Sequence, residues 1–439
     1  MAKPHLEIEY RCPDELAPYA KNPRRHSRKQ VAQIAASIRK FGFTNPVLIA
    51  DDDEILAGHG RVEAAMSMGL PSVPTVRLSQ MSEADRRAYV IADNKLATNA
   101  GWDQEVLAGE LKGLIEIGYE VEVTGFSVTE VDLTIEEANQ SSTSGPGATD
   151  DDMPLMTGTP TTRLDDIWQL GRHRLLCGDS RDRNSYRILM GDEQAQMIFT
   201  DPPYNVPIDG HVCGLGRVRH REFVMAAGEM SPTEFAAFLT TTLGLGAEHC
   251  ANGAIAFVCM DWRHVAELSQ AGLQTFSELK NICVWNKTNG GMGTFYRSKH
   301  EFIFVFKVGD APHINTFGLG ETGRYRTNVW DYPGVSSRHG GRLADLEMHP
   351  TVKPVALVKD AILDCSRRAA IILDMFGGSG TTLIAAERTG RIARLIEYDP
   401  LYCDTAVRRY EQATGKQAIL LSTQQPFELV AEHRCGSAA

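Results

Sequence analysis

The hexapeptide Thr-Asp-Pro-Pro-Tyr-Asn at residues 200–205 has residue types that could act on a donor-rich group. A short apolar run precedes it, which predicts a buried strand that stops at a rigid loop. Pro202 and Pro203 have no N–H, so the loop presents the Asp201 carboxylate and backbone carbonyls, which only accept hydrogen bonds. Such a loop suits an amino group like that of adenine or cytosine, and Tyr204 offers a ring for base stacking. The plain alternative is a Pro-Pro turn capped by an aspartate.

A glycine-rich loop lies further along, in the sequence Asp-Met-Phe-Gly-Gly-Ser-Gly-Thr-Thr at residues 374–382. An apolar run precedes it and an alanine-containing helix is predicted to follow it. This arrangement lets a nucleotide-like ligand approach the backbone, and the helix N-terminus favours its anionic groups. Glu397 ends the next predicted strand, where a ribose-binding acid is expected. The glycine spacing fits neither the dinucleotide pattern nor the P-loop pattern, so NAD and P-loop nucleotides are weak alternatives.

The composition indicates a protein of two folded domains without a membrane span. The chain has 439 residues, of which 43% are hydrophobic and 23% charged. We find no apolar run near 18 residues and no signal peptide, and we expect a cytoplasmic location. The nine cysteines are dispersed, which predicts reduced thiols and no zinc site. The net charge of −11 argues against a protein that coats DNA non-specifically.

Composition also predicts the domain boundaries. Residues 1–137 form a first α+β unit, in which helix 28–42 and strands 46–50 and 54–57 precede a glycine turn at 58–61 and a helix at 62–68. Residues 138–162 are low in apolar residues and rich in helix- and strand-breaking residues, which predicts a flexible linker. Residues 163–420 alternate strands with helical stretches, which indicates a layered α/β domain of Rossmann-like type. Residues 421–439 are assigned to a C-terminal tail.

The second domain resembles the amino-group DNA methyltransferases, which methylate N6 of adenine or N4 of cytosine with S-adenosylmethionine. The resemblance covers roughly residues 163–414, and the Asp-Pro-Pro-Tyr loop precedes the glycine loop, as in the β class. It implies that the catalytic loop is Asp201, Pro202, Pro203 and Tyr204. It implies a cofactor site formed by Asp179, Thr351, Lys353, Asp374, Phe376, Gly377, Gly378, Gly380, Thr381 and Glu397.

The roles within that cofactor set also follow from the resemblance. Asp179 would contact the adenine of the cofactor, Thr351 and Lys353 of the motif His-Pro-Thr-Val-Lys-Pro would lie near its carboxylate, and Glu397 would hold the ribose. Residues 285–287 and 300–301 fall where the pocket for a flipped base is completed. For these, core packing at Trp285 and a solvated strand start at Glu301 are equal alternatives.

The first domain resembles the N-terminal domain of the ParB family. The matching segments are residues 22–24, 46–49, 58–65 and 91–95. In that family the corresponding motifs bind a cytidine nucleotide, which implies a nucleotide site here formed by Gly58, His59, Gly60, Arg61 and Asn94. Two departures stand out: His-Gly replaces a Glu-Arg pair at 59–60, and we recognise no complete helix-turn-helix after Lys95. A role in docking to DNA is an equal expectation.

The resemblance predicts double-stranded DNA as the partner and a base-flipping reaction at adenine N6. Asp at the first loop position is the usual form for adenine, whereas serine is common for cytosine N4. Two basic segments are candidates for reading the DNA sequence: 217–221, and the part of 308–348 with Arg324, Arg326, Arg338, His339 and Arg342. The alternatives are cytosine N4 methylation, RNA methylation, and a ParB-like regulator that binds the cofactor without turnover. A homodimer is left open.

Overall fold

The computed structural model describes residues 6–99, 101–142, 150–154, 158–206, 226, 228–288, 295–317, 325–334 and 352–435. The chain divides into two compact units, Met1–Gly145 and Pro146–Ala439. Each unit is described by itself. Among the described residues, no helix combines the length and the apolar character that a membrane span needs.

The N-terminal unit is a five-stranded mixed sheet with helices. The strands, in the sheet order β1-β5-β3-β4-β2, are β1 (Ile8–Arg11), β2 (Ala17–Pro18), β3 (Val47–Ile49), β4 (Glu54–Ala57) and β5 (Val73–Arg77). The helices are α1 (Arg28–Phe41), α2 (His59–Ser67), α3 (Glu83–Asn99), α4 (Gln104–Glu116) and α5 (Val128–Ser142). The predicted helix 28–42 and strands 46–50 and 54–57 are confirmed within one or two residues, and the predicted helix 62–68 begins earlier, at His59.

The C-terminal unit is built on one eleven-stranded sheet in the order β12-β10-β11-β9-β8-β13-β14-β7-β6-β15-β16. Its strands are β6 (Ile167–Leu170), β7 (His173–Cys177), β8 (Ala195–Thr200), β9 (Cys250–Met260), β10 (Glu278–Asn286), β11 (His300–Lys307), β12 (Val329–Asp331), β13 (Ile371–Asp374), β14 (Ile392–Glu397), β15 (Ala418–Leu420) and β16 (Gln425–Pro426). Its helices are α6 (Arg183–Met190), α7 (Pro232–Glu248), α8 (Val265–Thr275), α9 (Val355–Cys365), α10 (Thr381–Thr389), α11 (Pro400–Thr414) and α12 (Phe427–Cys435).

The central strands of this sheet all end at one edge, which we call the site edge. Strands β7, β14, β13, β8 and β9 are parallel neighbours. Strand β11 is antiparallel to β9, and β10 is antiparallel to β11, so the connection from β10 to β11 also lies at the site edge. Open α/β sheets place ligand chemistry at the carboxyl ends of their strands. The α/β prediction for this domain is therefore confirmed, and its site has a defined place.

Part of the predicted linker is packed on the C-terminal unit. The Asp151 side chain is 5% exposed and accepts a hydrogen bond from the Val355 N–H at the start of α9. The fully buried Asp404 carboxylate accepts bonds from the Thr161 and Thr162 N–H groups. A low apolar content predicts a flexible segment. Here Asp151 accepts a bond from a buried N–H group, and the N–H groups of Thr161 and Thr162 donate to a buried carboxylate, so these hydrogen bonds anchor the segment. Helix α5 also covers the first residues of the predicted linker, as far as Ser142.

The residues predicted as a C-terminal tail from 421 onward belong to the fold as far as Cys435. They form β16 and α12. Phe427 of α12 is 4% exposed, and its ring lies 5.1 Å from the buried Trp168 ring. The apolar side of α12 thus covers the end of the sheet beside β6 and β15, and the tail prediction is wrong for these residues.

Candidate active site

A cleft of about 1210 Å³, partly open to solvent, lies at the site edge. Residues that follow four parallel strands line it: Gly178 and Ser180 after β7, residues 201–204 after β8, residues 374–379 at and after β13, and residues 397–399 at and after β14. The sheet thus brings the predicted catalytic loop, glycine loop and acid at 397 to one cleft, although they are nearly 200 positions apart in the chain.

The Asp201 carboxylate is bonded on both oxygens. Lys353 Nζ donates to Asp201 Oδ2 at 2.6 Å, and the Tyr204 hydroxyl donates to Asp201 Oδ1 at 2.7 Å. The same Lys353 Nζ lies 2.9 Å from Glu301 Oε2, so one ammonium holds two carboxylates. Lys353 is 3% exposed and Glu301 is 7% exposed. We call Asp201, Tyr204, Glu301 and Lys353 the charge cluster.

Charge balance sets the protonation states within the charge cluster. Burial raises the pKa of the Asp201 carboxyl, and the Lys353 ammonium opposes that shift. Burial acts in the same way on Glu301, but Lys353 and Lys287 outweigh it and lower the pKa of Glu301 to about 2. For Lys353, burial favours the neutral amine, but the two carboxylates outweigh it and raise its pKa. Lys353 and Glu301 therefore stay charged at neutral pH, and the ammonium favours the ionised form of Asp201.

A second cation completes the balance around Glu301. Lys287 Nζ donates to Glu301 Oε1, and the same ammonium lies 4.5 Å from the centroid of the Trp285 ring. Trp285 is 2% exposed, and its indole N–H donates to the Tyr332 carbonyl at 2.9 Å. Trp285 is thus a core residue whose ring also contacts the Lys287 ammonium. Glu301 is buried at the start of β11, so the alternative of a solvated strand start is wrong.

Asp374 ties the glycine loop to the catalytic loop. Its Oδ1 accepts from the Thr200 hydroxyl at 2.9 Å and from the Phe376 N–H at 3.1 Å, and its Oδ2 accepts from the Thr382 hydroxyl at 2.7 Å. Burial raises the pKa of Asp374 to about 6 in spite of these three bonds. Because these three bonds join Thr200 at the end of β8 to the glycine loop, Asp374 acts on the shape of the cleft.

The glycine loop presents its backbone to the cleft. Gly378 has a φ of 50°, and a Cβ there would meet only the Phe376 carbonyl, 4.0 Å away. The Gly378 N–H donates to Glu397 Oε2 at 2.8 Å, and the Asp399 N–H donates to the other carboxylate oxygen at 2.8 Å. Burial nevertheless raises the pKa of Glu397 to about 7. Each of its oxygens keeps a lone pair for a ligand hydroxyl.

Two predicted cofactor residues lie beside the cleft without lining it. Asp179 is turned to Arg181, whose guanidinium donates to both carboxylate oxygens at 2.7–3.2 Å. Gly380 has a φ of 84°, and a Cβ there would lie 3.0 Å from the Ala406 Cβ. Gly380 thus permits the contact with α11, while Phe376, Gly377 and Thr381 do line the cleft.

Several predicted residues lie outside the described part of the chain. They are Thr351, the basic segment 217–221, and Arg324, Arg338, His339 and Arg342. Arg326 lies within the described part of the chain, and its contacts differ from the predicted contact with DNA. Its Nε donates to Asp364 Oδ2 at 2.9 Å, and its side chain is 16% exposed. Arg326 is therefore committed to a buried ion pair.

Sequence reasoning missed two links in this site. Lys353 is expected near the cofactor carboxylate, but its bonds run to Asp201 and Tyr204, and no local pattern signals this pairing. Asn205 accepts from the N–H groups of Gly228 and Met230 and donates to the Met230 carbonyl at 2.8 Å. Asn205 has a φ of 50°, a conformation that asparagine tolerates better than most residues. An asparagine at this position of the loop was therefore the one sequence signal for this turn.

The predicted nucleotide turn of the N-terminal unit is formed by the start of α2. Gly58 has a φ of 102°, and a Cβ there would lie 2.8 Å from Arg61 Nη2. Arg61 folds back over this turn and donates to the Pro46 carbonyl at 3.3 Å. A Cβ on Gly60 would lie 3.0 Å from the His26 ring, so both glycines permit close packing.

The other two residues of that prediction are His59, in the same turn, and Asn94, in α3. His59 Nε2 accepts from the Tyr19 N–H at 3.2 Å, and burial lowers the pKa of His59. Arg24 donates to Asn94 Oδ1 at 3.2 Å, which joins the first and last matching segments. The predicted nucleotide site and its ligand stay a prediction.

Comparison with known proteins gives three family matches along the chain. Residues 6–94 match the ParB N-terminal domain, residues 105–164 match the ParB-methyltransferase HTH domain, and residues 195–408 match the DNA methylase family N6_N4_Mtase. The chain therefore carries a DNA methylase domain of the N6_N4_Mtase family together with an N-terminal ParB-like domain. The expectation that no complete helix-turn-helix follows Lys95 is wrong, since the second match contains α5 and all of α4 except its first residue.

Individual relatives match different parts of the chain. The ParB-like nuclease domain-containing protein YnaK of Escherichia coli K12 is 51% identical over 82 residues, which are 19% of this chain and 94% of that protein. The type II methyltransferase M2.MboI of Moraxella bovis is 27% identical over 236 residues, 51% of this chain and 83% of that protein. The crystal structure of TTHA0409 from Thermus thermophilus, complexed with S-adenosyl-L-methionine, is 20% identical, has a TM-score of 0.39 and covers 56% of this chain and 96% of that chain.

The first testable prediction concerns the charge cluster. Lys353→Met leaves the buried Glu301 and the partly buried Asp201 carboxylates without their shared cation, and we expect the free energy of unfolding to fall by about 3–5 kcal/mol. Lys416→Met removes an exposed ion pair with Glu387 and should cost at most about 1 kcal/mol. Urea unfolding at neutral pH measures both. A Lys353→Met protein as stable as the Lys416→Met control would contradict the assignment of Lys353 as a structural counter-ion.

Proposed function

We propose that this protein is a site-specific DNA methyltransferase that transfers the methyl group of S-adenosylmethionine to the exocyclic N6 of adenine in double-stranded DNA. Membership of the family supports transfer to an amino nitrogen of a base in DNA. The choice of adenine rests on Asp201 at the first position of the loop, since serine is common there in enzymes that act on cytosine N4.

The observation that carries the proposal is the set of hydrogen bonds that the Asp201 carboxylate makes and the lone pairs that it keeps. It is bonded to the Lys353 ammonium at 2.6 Å, and it begins a loop whose next two residues have no N–H. A carboxylate accepts hydrogen bonds through about four lone pairs, of which this one uses two. A carboxylate that keeps lone pairs beyond its bonds to the described residues is the acceptor that a donor-only amino group requires.

The amino nitrogen of a base is a poor nucleophile because its lone pair is delocalised into the ring. When Asp201 accepts one N–H and the Pro202 carbonyl accepts the other, the lone pair becomes localised on nitrogen and points away from both acceptors. The loop thereby orients the nitrogen for direct in-line transfer, and the rate enhancement comes from positioning. The described cysteines near this cleft, Cys177, Cys259 and Cys403, are buried, and the proposal uses no covalent intermediate.

The cofactor is S-adenosylmethionine, which supplies a methyl group on a positively charged sulfur. The cleft fits it, because a Cβ on Gly378 would meet no atom closer than the Phe376 carbonyl at 4.0 Å and the neighbouring Glu397 keeps acceptor capacity. Glu397 would hold the two ribose hydroxyls, and Phe376 and Gly377 would line the methionine part.

The target nitrogen is inaccessible in a stacked duplex, so the base has to leave the stack before Asp201 can reach it. Tyr204 is proposed to stack on the flipped base. Its hydroxyl donates to Asp201 Oδ1 and lies 3.1 Å from Glu301 Oε2, which fixes the ring in one orientation. Holding the tyrosine by its hydroxyl leaves a ring face to contact the base.

For the N-terminal unit we propose DNA docking, with a nucleotide bound at the turn that starts α2. The match to the HTH domain supports the docking role. Arg24, which donates to Asn94, and the backbone at Gly58 would contact the nucleotide. Arg61 would have to leave the Pro46 carbonyl before it could bind a phosphate.

The second testable prediction addresses the reaction itself. Nucleoside mass spectrometry of unmethylated duplex DNA, incubated with the protein and S-adenosylmethionine, should show N6-methyladenine. Asp201→Ala should lower transfer at least about 1000-fold, while the cofactor affinity measured by calorimetry stays within about twofold, because Asp201 is proposed to bind the base. Asp201→Asn, which keeps the shape without the charge, should be similarly impaired.

The outcomes of that experiment are distinct. N4-methylcytosine would keep the mechanism and overturn the choice of base. The absence of a methylated base in DNA, with cofactor bound, would overturn the proposed function in favour of a regulator, and methylated RNA would change the substrate. Loss of cofactor binding in Asp201→Ala would contradict the assigned role of Asp201.

The third testable prediction uses the raised pKa of Glu397, about 7 in the free protein. Ribose binding requires the carboxylate, which is fully present above that pKa and is lost as the pH falls through it. The association constant for S-adenosylmethionine should therefore fall by up to about tenfold per pH unit below pH 7. Calorimetry between pH 6 and 8.5 measures this, and Glu397→Gln should flatten the dependence. Equal pH dependence in the two proteins would exclude Glu397 as the titrating contact.

A further inference from the structure

The connection between β10 and β11 carries an exposed pair of aromatic side chains. The strand ladder ends at the pair Asn286 and His300, and the Lys287 N–H donates to the Lys299 carbonyl at 2.8 Å beyond it. Phe295 is 87% exposed and Tyr296 is 81% exposed. Their ring centroids lie 4.6 Å apart at 78°, an edge-to-face contact. Single exposed apolar residues are ordinary, but an adjacent aromatic pair this exposed marks an interaction surface.

The residues around this pair are cationic. Arg297 and Lys299 are exposed, and the sequence from Lys287 to His300 contains no aspartate or glutamate. This is unusual in a chain with a net charge of −11. We call residues 295–299 the aromatic–basic segment. Its charge selects an anionic partner, and its rings offer faces on which nucleic-acid bases stack.

The position of the segment relates it to the candidate active site. It leads directly into β11, whose second residue, Glu301, lies 2.9 Å from Lys353 Nζ in the charge cluster. Tyr296 is five residues before Glu301, so its Cα lies within about 17 Å of the Glu301 Cα. The segment is therefore within reach of a duplex whose flipped base is bound at Asp201.

We propose that Phe295 and Tyr296 enter the DNA duplex beside the target base pair and stack in the space that the flipped base vacates, while Arg297 and Lys299 contact the flanking phosphates. This inference rests on the proposed function and names the surface through which the duplex is opened. Flipping a base costs its stacking and pairing energy. Aromatic side chains that occupy the gap recover part of the stacking, as apolar wedges do in proteins that kink DNA.

The experiment compares the full chain with matched variants on two forms of one DNA, an unmethylated duplex of about 1000 base pairs and the same DNA after heat denaturation. The double variant Phe295→Ala/Tyr296→Ala should lower the rate of methylation of the duplex by about tenfold to hundredfold. Affinity for S-adenosylmethionine and the residual rate on the denatured DNA should stay within about twofold, because no stacked base has to be extracted there. The Tyr296→Phe variant keeps the ring and should stay near the wild-type rate.

Leu273→Ala is the control for loss of an exposed apolar side chain, since Leu273 is 64% exposed on α8. The charges are tested separately with a fluorescent duplex of about 30 base pairs and anisotropy. Arg297→Ala/Lys299→Ala should reduce the slope of log affinity against log salt by about two, because two phosphate contacts are lost. Lys280→Ala, at the opposite end of β10, should leave the slope unchanged.

Each result decides between distinct outcomes. If the double aromatic variant methylates the duplex at the wild-type rate, the proposal is overturned. An equal loss on both forms of the DNA, or a loss of cofactor affinity, would assign the rings a structural role and overturn it as well. A variant that loses self-association while its DNA binding and its transfer rates stay unchanged would assign the surface to a second copy of the chain. If the wild-type protein methylates neither form, the proposed function fails, and the salt dependence still reports whether the segment contacts DNA.

Discussion

The Lys353 ammonium lies between the buried Glu301 carboxylate and the partly buried Asp201 carboxylate, and the chemistry proposed for this cleft depends on that one placement. Bringing Asp201 and Glu301 together without a cation would force a proton onto one of them, because like charges in a buried site disfavour ionisation. A protonated Asp201 would carry a hydroxyl donor toward an amino group that can only donate. Lys353 makes an acceptor out of Asp201, and Lys287 compensates the second carboxylate from the other side.

The fold imposes this arrangement through the direction of its strands. Asp201 follows β8, Asp374 ends β13 and Glu397 ends β14, and parallel pairing puts all three at the site edge. Glu301 comes from an antiparallel strand but begins at the same edge, because β11 runs against β9. Asp374 then joins the two loops by bonding Thr200 on one side and Thr382 on the other. Asp374 therefore holds the glycine loop of the cofactor cleft and the catalytic loop in a fixed position relative to each other.

The sequence predicted those parts of the site whose residues lie close together in the chain. The Asp-Pro-Pro-Tyr loop, the glycine loop and Glu397 each follow a recognisable apolar run, and the structure brings them to one cleft. The bonds that give the cluster its charge state were not predictable, because Lys353 lies 152 positions from Asp201 and Tyr204 lies 97 positions from Glu301. The prediction of a DNA contact for Arg326 was wrong because the sequence identifies the charge of Arg326 but does not identify its buried partner, Asp364. Segment 150–154 and α12 were mistaken for coil since their few anchoring residues lie in polar surroundings.

The most direct test of the account is the pH dependence of methyl transfer in a single turnover, measured with saturating S-adenosylmethionine and duplex DNA for the wild-type protein and for Lys353→Met. The pKa of Asp201 rises when the ammonium is removed, so the rate of the variant should fall away at a higher pH than the wild-type rate and should recover as the pH rises. Lys353→Arg should keep the wild-type profile if the cluster accommodates its side chain. A Lys353→Met protein that is folded and slow but has an unshifted acid limb would contradict the claim that Lys353 keeps Asp201 ionised.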